Sequence, residues 1–194
     1  MVKMAWAVGL VLVAGTATAA DLVVVGGELR GANRVNVNGT FYDAEFLDGT
    51  CTDLFNGCDA LEDFTFVTEA SAEAASLALS SQVFVDGPSG NFDSDPTLTR
   101  GCASSSSCVA LTPFAIPFVS GVNAFGDPNF GGLLTGSTTV RLKNDFMDLT
   151  GNADEVYVRW QASPPQAVPM SSAPVMLLMV ALLMATGLGT FRRS

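Results

Sequence analysis

The chain has 194 residues, 48% of them hydrophobic, with nineteen acidic residues against nine basic ones and no histidine. A formal charge of −10 argues against nucleic acid, and against docking on anionic lipid headgroups. The missing histidine removes every His-based catalytic triad and every His-ligated metal centre.

The N-terminus has the layout of a secretory signal peptide. Lys3 supplies a small positive region, and residues 4–14 are apolar but too few to span a bilayer. Ala17, Thr18 and Ala19 place small residues where a signal peptidase reads, which predicts residues 1–19 as a leader cut before Ala20. Residues 20–170 then hold all nineteen acidic residues and six of the nine basic ones, a formal charge of −13. That length suits one domain with a real core.

Residues 22–29 are Val-rich around Gly26-Gly27 and predict one strand with a bend. Val35 and Val37 alternate with Asn36, Asn38-Gly39 follows, and residues 40–46 alternate again, which predicts a hairpin about Asn38-Gly39. Tyr42, Ala44 and Phe46 then share one face; Phe41, Asp43 and Glu45 share the other. Residues 64–67 predict a strand. Thr68 is placed to cap a helix reaching about Gln82, with Ala72, Ala75, Leu79 and Val83 on one face. Residues 83–85 predict a short strand, and residues 86–100 a Gly/Pro/Asp loop. Pro113 and Pro117 make residues 109–119 an edge strand or extended segment. Residues 121–132 read as loop, and 133–134 and 137–142 as strand. Residues 144–155 form an acidic connection. Residues 156–160 predict the last strand, with Val156, Val158 and Trp160 on one side and Tyr157 and Arg159 on the other. The sum is an α+β domain over residues 20–160: a mostly antiparallel sheet with one main helix.

Cys51, Cys58, Cys102 and Cys108 are an even set in a chain with an export-like leader, which predicts two disulfides. Three pairings are possible. The short turn-like stretches between them favour Cys51–Cys58 and Cys102–Cys108, as staples of surface loops. Intervals of six and five residues exceed the usual zinc-ligand spacing.

Hard oxygen ligands gather in two loops. Asp86, Asp93 and Asp95, with Asn91, form the candidate Ca²⁺ site; Asp145, Asp148, Asn152, Asp154 and Glu155 form a second acidic loop. Neither follows the EF-hand pattern, and solvated acidic loops are the plainer reading. No phosphate-binding Gly loop, dinucleotide fingerprint or Gly-x-Ser-x-Gly elbow is present. Carboxylate pairs such as Asp43 and Glu45 keep an exported hydrolase open by residue type alone, although a solvated strand face explains them better.

Residues 161–174 are a Pro/Ser linker. Residues 175–191 are an uncharged apolar run, about 25 Å as a helix, near the lower limit for crossing a membrane. Arg192 and Arg193 follow, so the positive-inside rule puts residues 192–194 in the cytoplasm and the body outside. A proline motif, a short apolar helix and a basic end behind a signal peptide resemble the PEP-CTERM class of bacterial sorting signals, in its Val-Pro-Leu-Pro-Ala variant. Val168, Pro169 and Met170 stand at the first three motif positions, Ser171 stands where the second proline belongs, and Pro174 follows three residues later. The resemblance implies a Gram-negative host and an exosortase-type membrane protease as partner. It also implies a destination at the cell surface or in the extracellular matrix, and possible association with exopolysaccharide.

The expected protein is therefore exported and non-enzymatic, held in the inner membrane as a precursor and then sorted to the surface or matrix. A surface module that binds calcium or polysaccharide is the alternative, and a carboxylate-dependent hydrolase stands third.

Overall fold

The computed structural model describes residues 20–115, 122–129, 139–143 and 148–165. The predicted leader (1–19), the sorting motif and the apolar run with its basic end (within 166–194) lie outside the described residues. Among the described residues no helix is long and apolar enough to cross a membrane.

Two adjacent hairpins open the domain. β1 (Asp21–Val25) turns at Gly26-Gly27 into β2 (Glu28–Val37), which turns at Asn38-Gly39 into β3 (Thr40–Leu47). Gly26 and Gly27 have φ of 64° and 88°, the left-handed pair that a two-residue hairpin turn demands. The single bent strand expected over 22–29 is thus two strands: consecutive positive φ values reverse the chain rather than kink it. Asn38 and Gly39 (φ 51° and 89°) make the predicted second turn, where the Gly39 N–H donates to Asn36 Oδ1 at 2.7 Å.

After β3 the chain leaves the sheet. A one-turn helix, α1 (Cys51–Leu54), and a 3-10 turn (Leu61–Asp63) lead to the main helix, α2 (Glu69–Gln82). Thr68 caps α2 as expected, accepting from the Ser71 N–H while Ser71 Oγ accepts from the Thr68 N–H. Ala72, Ala75, Ala78 and Leu79 are buried, and this small-residue face lets α2 lie on the sheet. Residues 83–85 are not a strand. They form the turn that ends α2, with Val83 and Phe84 buried beneath it. A two-residue ribbon follows, β4 (Asp86–Gly87) against β5 (Gly90–Asn91), and then a 3-10 turn (Pro96–Leu98).

The chain re-enters the sheet as β6 (Cys108–Ala115), β7 (Val122–Asn129), β8 (Thr139–Lys143) and β9 (Glu155–Ala162). Seven of the nine described strands form one sheet in the order β1-β2-β3-β9-β6-β7-β8, and β4 with β5 stands apart. All pairs are antiparallel except β6 with β9. The mixed, mostly antiparallel sheet with one main helix and two disulfides matches the expected class.

Three further expectations fail. β6 is interior rather than an edge, although it contains Pro113. Its parallel pairing with β9 covers Val109 to Leu111 only, and its register with β7 shifts between Pro113 and Ala115, so the proline sits past one ladder and at an irregularity in the other. β7 occupies most of the stretch expected as loop; Gly126 and Pro128 masked its strand character. Residues 64–67 are extended but unpaired. Phe64 joins one core layer and Phe66 the other, while Thr65 Oγ1 between them donates to the Trp160 carbonyl. The segment passes between layers beside β9, where β9 has parted from β6. The compact unit ends at Ser163, slightly beyond the predicted boundary, because the Ser163 N–H still donates to the Phe41 carbonyl at 3.0 Å.

Apolar side chains fill both sides of the sheet. On one side α2 covers Val35, Ala44, Phe46, Ala110, Val156, Val158 and Trp160. On the other, α1 and its disulfide cover Val109, Leu111, Leu149 and Tyr157.

Candidate functional site

Both predicted disulfides are present, Cys51–Cys58 and Cys102–Cys108, with Cα–Cα distances of 5.7 and 5.6 Å. They do more than staple surface loops. All four cysteines are buried, the first pair within the α1 layer and the second beneath α2. The sulfurs are core atoms that happen to close short loops.

Two carboxylates of the candidate Ca²⁺ loop, Asp86 and Asp95, act as local acceptors. Asp86 accepts from the N–H groups of Asp93 and Ser94, both at 3.0 Å, and from the Ser94 hydroxyl. These bonds, the Ser94 hydroxyl foremost, hold the Asp86 carboxyl below the usual carboxylate range. Asp95 caps the 3-10 turn, accepting from the Thr97 N–H at 3.1 Å and from its hydroxyl. The second acidic loop behaves alike. Asp148 accepts from the Thr150 N–H at 2.8 Å, Asn152 Oδ1 from the Asp154 N–H at 3.0 Å, and Asp154 from the Ser107 hydroxyl at 3.2 Å. These are turn-forming roles for Asp and Asn. Asp145 lies outside the described residues. Among the described residues no three acidic or cysteine side chains group in a way that would hold a metal ion.

The more distinctive geometry lies on the α1 side of the sheet, in the half that α1 does not cover. Alternation puts Arg159 and Gln161 of β9 on the same face as Tyr157, and Asp43 and Glu45 of β3 on the same face as Leu47. From β2 come Arg30 and Asn33. Arg100 arrives from the loop after the Pro96–Leu98 turn, fixed there by its own N–H donating to the Leu29 carbonyl at 2.9 Å. Together with Val23 these residues line a groove of about 370 Å³. At its centre Glu45 receives Arg159 Nη2 at 2.6 Å and faces Arg100 Nη1 at 4.0 Å. Asp43 accepts from the Arg34 N–H at 3.0 Å and from the Ser163 hydroxyl. Arg30 turns toward Glu28 at the rim, Nε to Oε2 3.0 Å.

The pair Asp43 and Glu45, noted in the sequence, therefore does line a groove, but both carboxylates are engaged as acceptors. The arginines were missed. Arg30, Arg100 and Arg159 are isolated in sequence, and the one available signal was the scarcity of cations in so acidic a body. Trp160 and Tyr157 are buried on opposite faces of β9, as the alternation predicted, so neither offers an exposed stacking surface.

Compared with known protein families, characterised proteins and solved structures, the chain gives no match to any.

Proposed function

We propose that the chain is a non-enzymatic exported protein, carried to the cell surface or extracellular matrix by an exosortase-type sorting signal at its C-terminus. The observation that carries this reading is the pairing of all four cysteines in two buried disulfides. Such bonds belong to an oxidising compartment, and the leader and tail motifs supply a route to one. In this scheme signal peptidase removes residues 1–19. Residues 175–191 hold the precursor in the inner membrane, and the protease acts at the motif around Val168, Pro169 and Met170.

Mass spectrometry of the native protein from fractionated cells tests the scheme. The expected product begins at Ala20, lacks residues 175–194 and is recovered from the surface or medium. Recovery of the intact tail from the inner membrane in cells that contain the protease would refute it.

A binding role at the surface is the second reading, and the groove at Glu45 favours it. Its polar lining comes from three strands and a loop, and its arginines project into an otherwise acidic body. Calcium binding at Asp86, Asp93 and Asp95 would require the Asp86 and Asp95 carboxylates to exchange loop N–H partners for the ion.

A further inference from the structure

We infer that the groove at Glu45 is a binding site for an acidic glycan, in which a uronate carboxylate meets the arginines and the sugar hydroxyls meet the carboxylates. This rests on the surface-binding reading and deepens it.

Three of the six basic residues in the −13 body line this one groove, Arg30, Arg100 and Arg159. They come from a strand, a loop and another strand, so no local sequence pattern forced them together. Glu45 does not saturate them. Arg100 reaches it only at 4.0 Å and keeps 37% of its side chain exposed. Arg159 gives Glu45 one nitrogen at 2.6 Å and remains 39% exposed, so its outer guanidinium edge still faces the groove. Donor capacity for an anion is therefore left over.

The remaining lining narrows the anion. Asp43 and Glu45 disfavour a compact, doubly charged phosphate beside them, whereas a uronate brings a single charge per sugar ring. The same carboxylates, with Asn33 and Gln161, are good acceptors for hydroxyl groups. Val23 is the apolar side chain of the lining, since Ala44 packs on the α2 side of the sheet, and one valine is too little surface for a lipid or an aromatic ligand. A polyhydroxylated acid satisfies both halves of the lining; a neutral sugar leaves the arginines idle, and a polycarboxylate leaves the acceptors idle. The groove volume of about 370 Å³ lies within the range of small-ligand clefts.

Calorimetry on the purified full chain in detergent at low salt tests the inference, with three probes of equal length: an oligogalacturonate, a neutral oligogalactoside and oligoglutamate. The oligogalacturonate should bind at least about tenfold more tightly than either control. Arg100→Gln should weaken it by about tenfold, the usual scale for losing one charge-assisted contact. Arg100→Gln keeps the backbone bond to Leu29, and Arg30→Gln, at the exposed rim, is a second variant expected to weaken binding in the same direction. A flat oligogalacturonate titration, equal binding of oligoglutamate, or binding indifferent to both variants would overturn the inference. Fractionation reads the sorting scheme separately: a correctly sorted protein with a flat titration ends the glycan site alone, and a mis-sorted protein that binds ends the sorting scheme alone.

Discussion

Thr112→Val should destabilise the domain more than the smaller truncation Thr112→Ser, although valine nearly conserves the shape. Thr112 is fully buried in β6, and its Oγ1 accepts from Trp160 Nε1 of β9 at 3.1 Å and from Ser76 Oγ of α2 at 3.3 Å. The hydroxyl lies just past Leu111, where the backbone pairing of β6 with β9 stops. It thus continues the connection between the two halves of the sheet by side chains alone, and ties both to the helix. Valine fills the space and removes the acceptor. The indole N–H is then left buried without a partner, which costs about 1–3 kcal/mol. Ser76 adds less, since its bond is longer and it has another interaction. Serine keeps the acceptor and loses one methyl group, about 1 kcal/mol. The expected order of stability is wild type, then Thr112→Ser, then Thr112→Val. Urea unfolding followed by far-UV circular dichroism measures it, with an unchanged m-value as the condition for comparison. Thr112→Val within about 0.5 kcal/mol of wild type, or milder than Thr112→Ser, would refute the hydrogen-bond account, since that is the ordinary scatter of neutral substitutions.

The disulfides and one carboxyl give two further tests. The cysteine pairs are separated by 7 and 6 residues, and chain-entropy loss for loops so short is about 2.4 kcal/mol each. Because the sulfurs are buried, replacing either pair by alanine should cost at least that much; a urea-derived loss below about 1 kcal/mol would return them to the status of surface staples. The Asp48 carboxyl is pushed above its usual range, chiefly by burial, with Arg100 opposing and Glu28 and Asp148 adding to the shift; its Oδ1 has no hydrogen-bond partner among the described residues. The folded state therefore holds this proton to higher pH than the unfolded chain does. The contribution of Asp48 to stability is complete below the unfolded value of 3.8 and falls as pH rises through the folded value. Asp48→Asn should flatten that fall, raising stability at pH 7 relative to pH 3.5. An unchanged pH profile in thermal melts would show that burial is not felt at this carboxyl.

Local signals in the sequence carried well where one short stretch decides the outcome. Asn38-Gly39 needs only two positive φ values, and the Thr68 cap only its own helix start, so both were legible. The cysteine pairing followed from short intervals. Where the outcome depends on distant chain, the same reasoning failed. Pro113 excludes a central strand only if both ladders run past it, and the sequence does not reveal that β9 departs after Leu111. Gly126 and Pro128 made β7 look like loop, yet β6 supplies a complete antiparallel partner. Phe64 and Phe66 have strand spacing, but they serve opposite layers because the chain crosses between them. The groove was hidden for a related reason. Its carboxylates stand two residues apart and can be seen together, whereas Arg30, Arg100 and Arg159 meet only through the sheet order.

That sheet order also explains why the groove stays open. Along one face, β3 reads Leu47, Glu45, Asp43, and its antiparallel partner β9 reads Tyr157, Arg159, Gln161, so both strands change from apolar to polar at the same level. α1 and the Cys51–Cys58 loop pack over the apolar end, where Tyr157 contacts Phe55 edge-on at 5.7 Å between ring centroids. A layer extended over the polar end would have to desolvate Glu45 with Arg159, and burying such a pair repays little even with good geometry. The aligned change of character along two paired strands therefore sets where the covering layer stops. Substituting the polar end with apolar residues would invite coverage or self-association, while the charges as they stand keep that end of the face uncovered. For the surface-binding reading, this favours the groove over the acidic loops. The loops use the carboxylates of Asp86, Asp95 and Asp148 to hold their own turns, whereas Arg100 and Arg159 stay part-exposed in the groove beyond their contacts with Glu45.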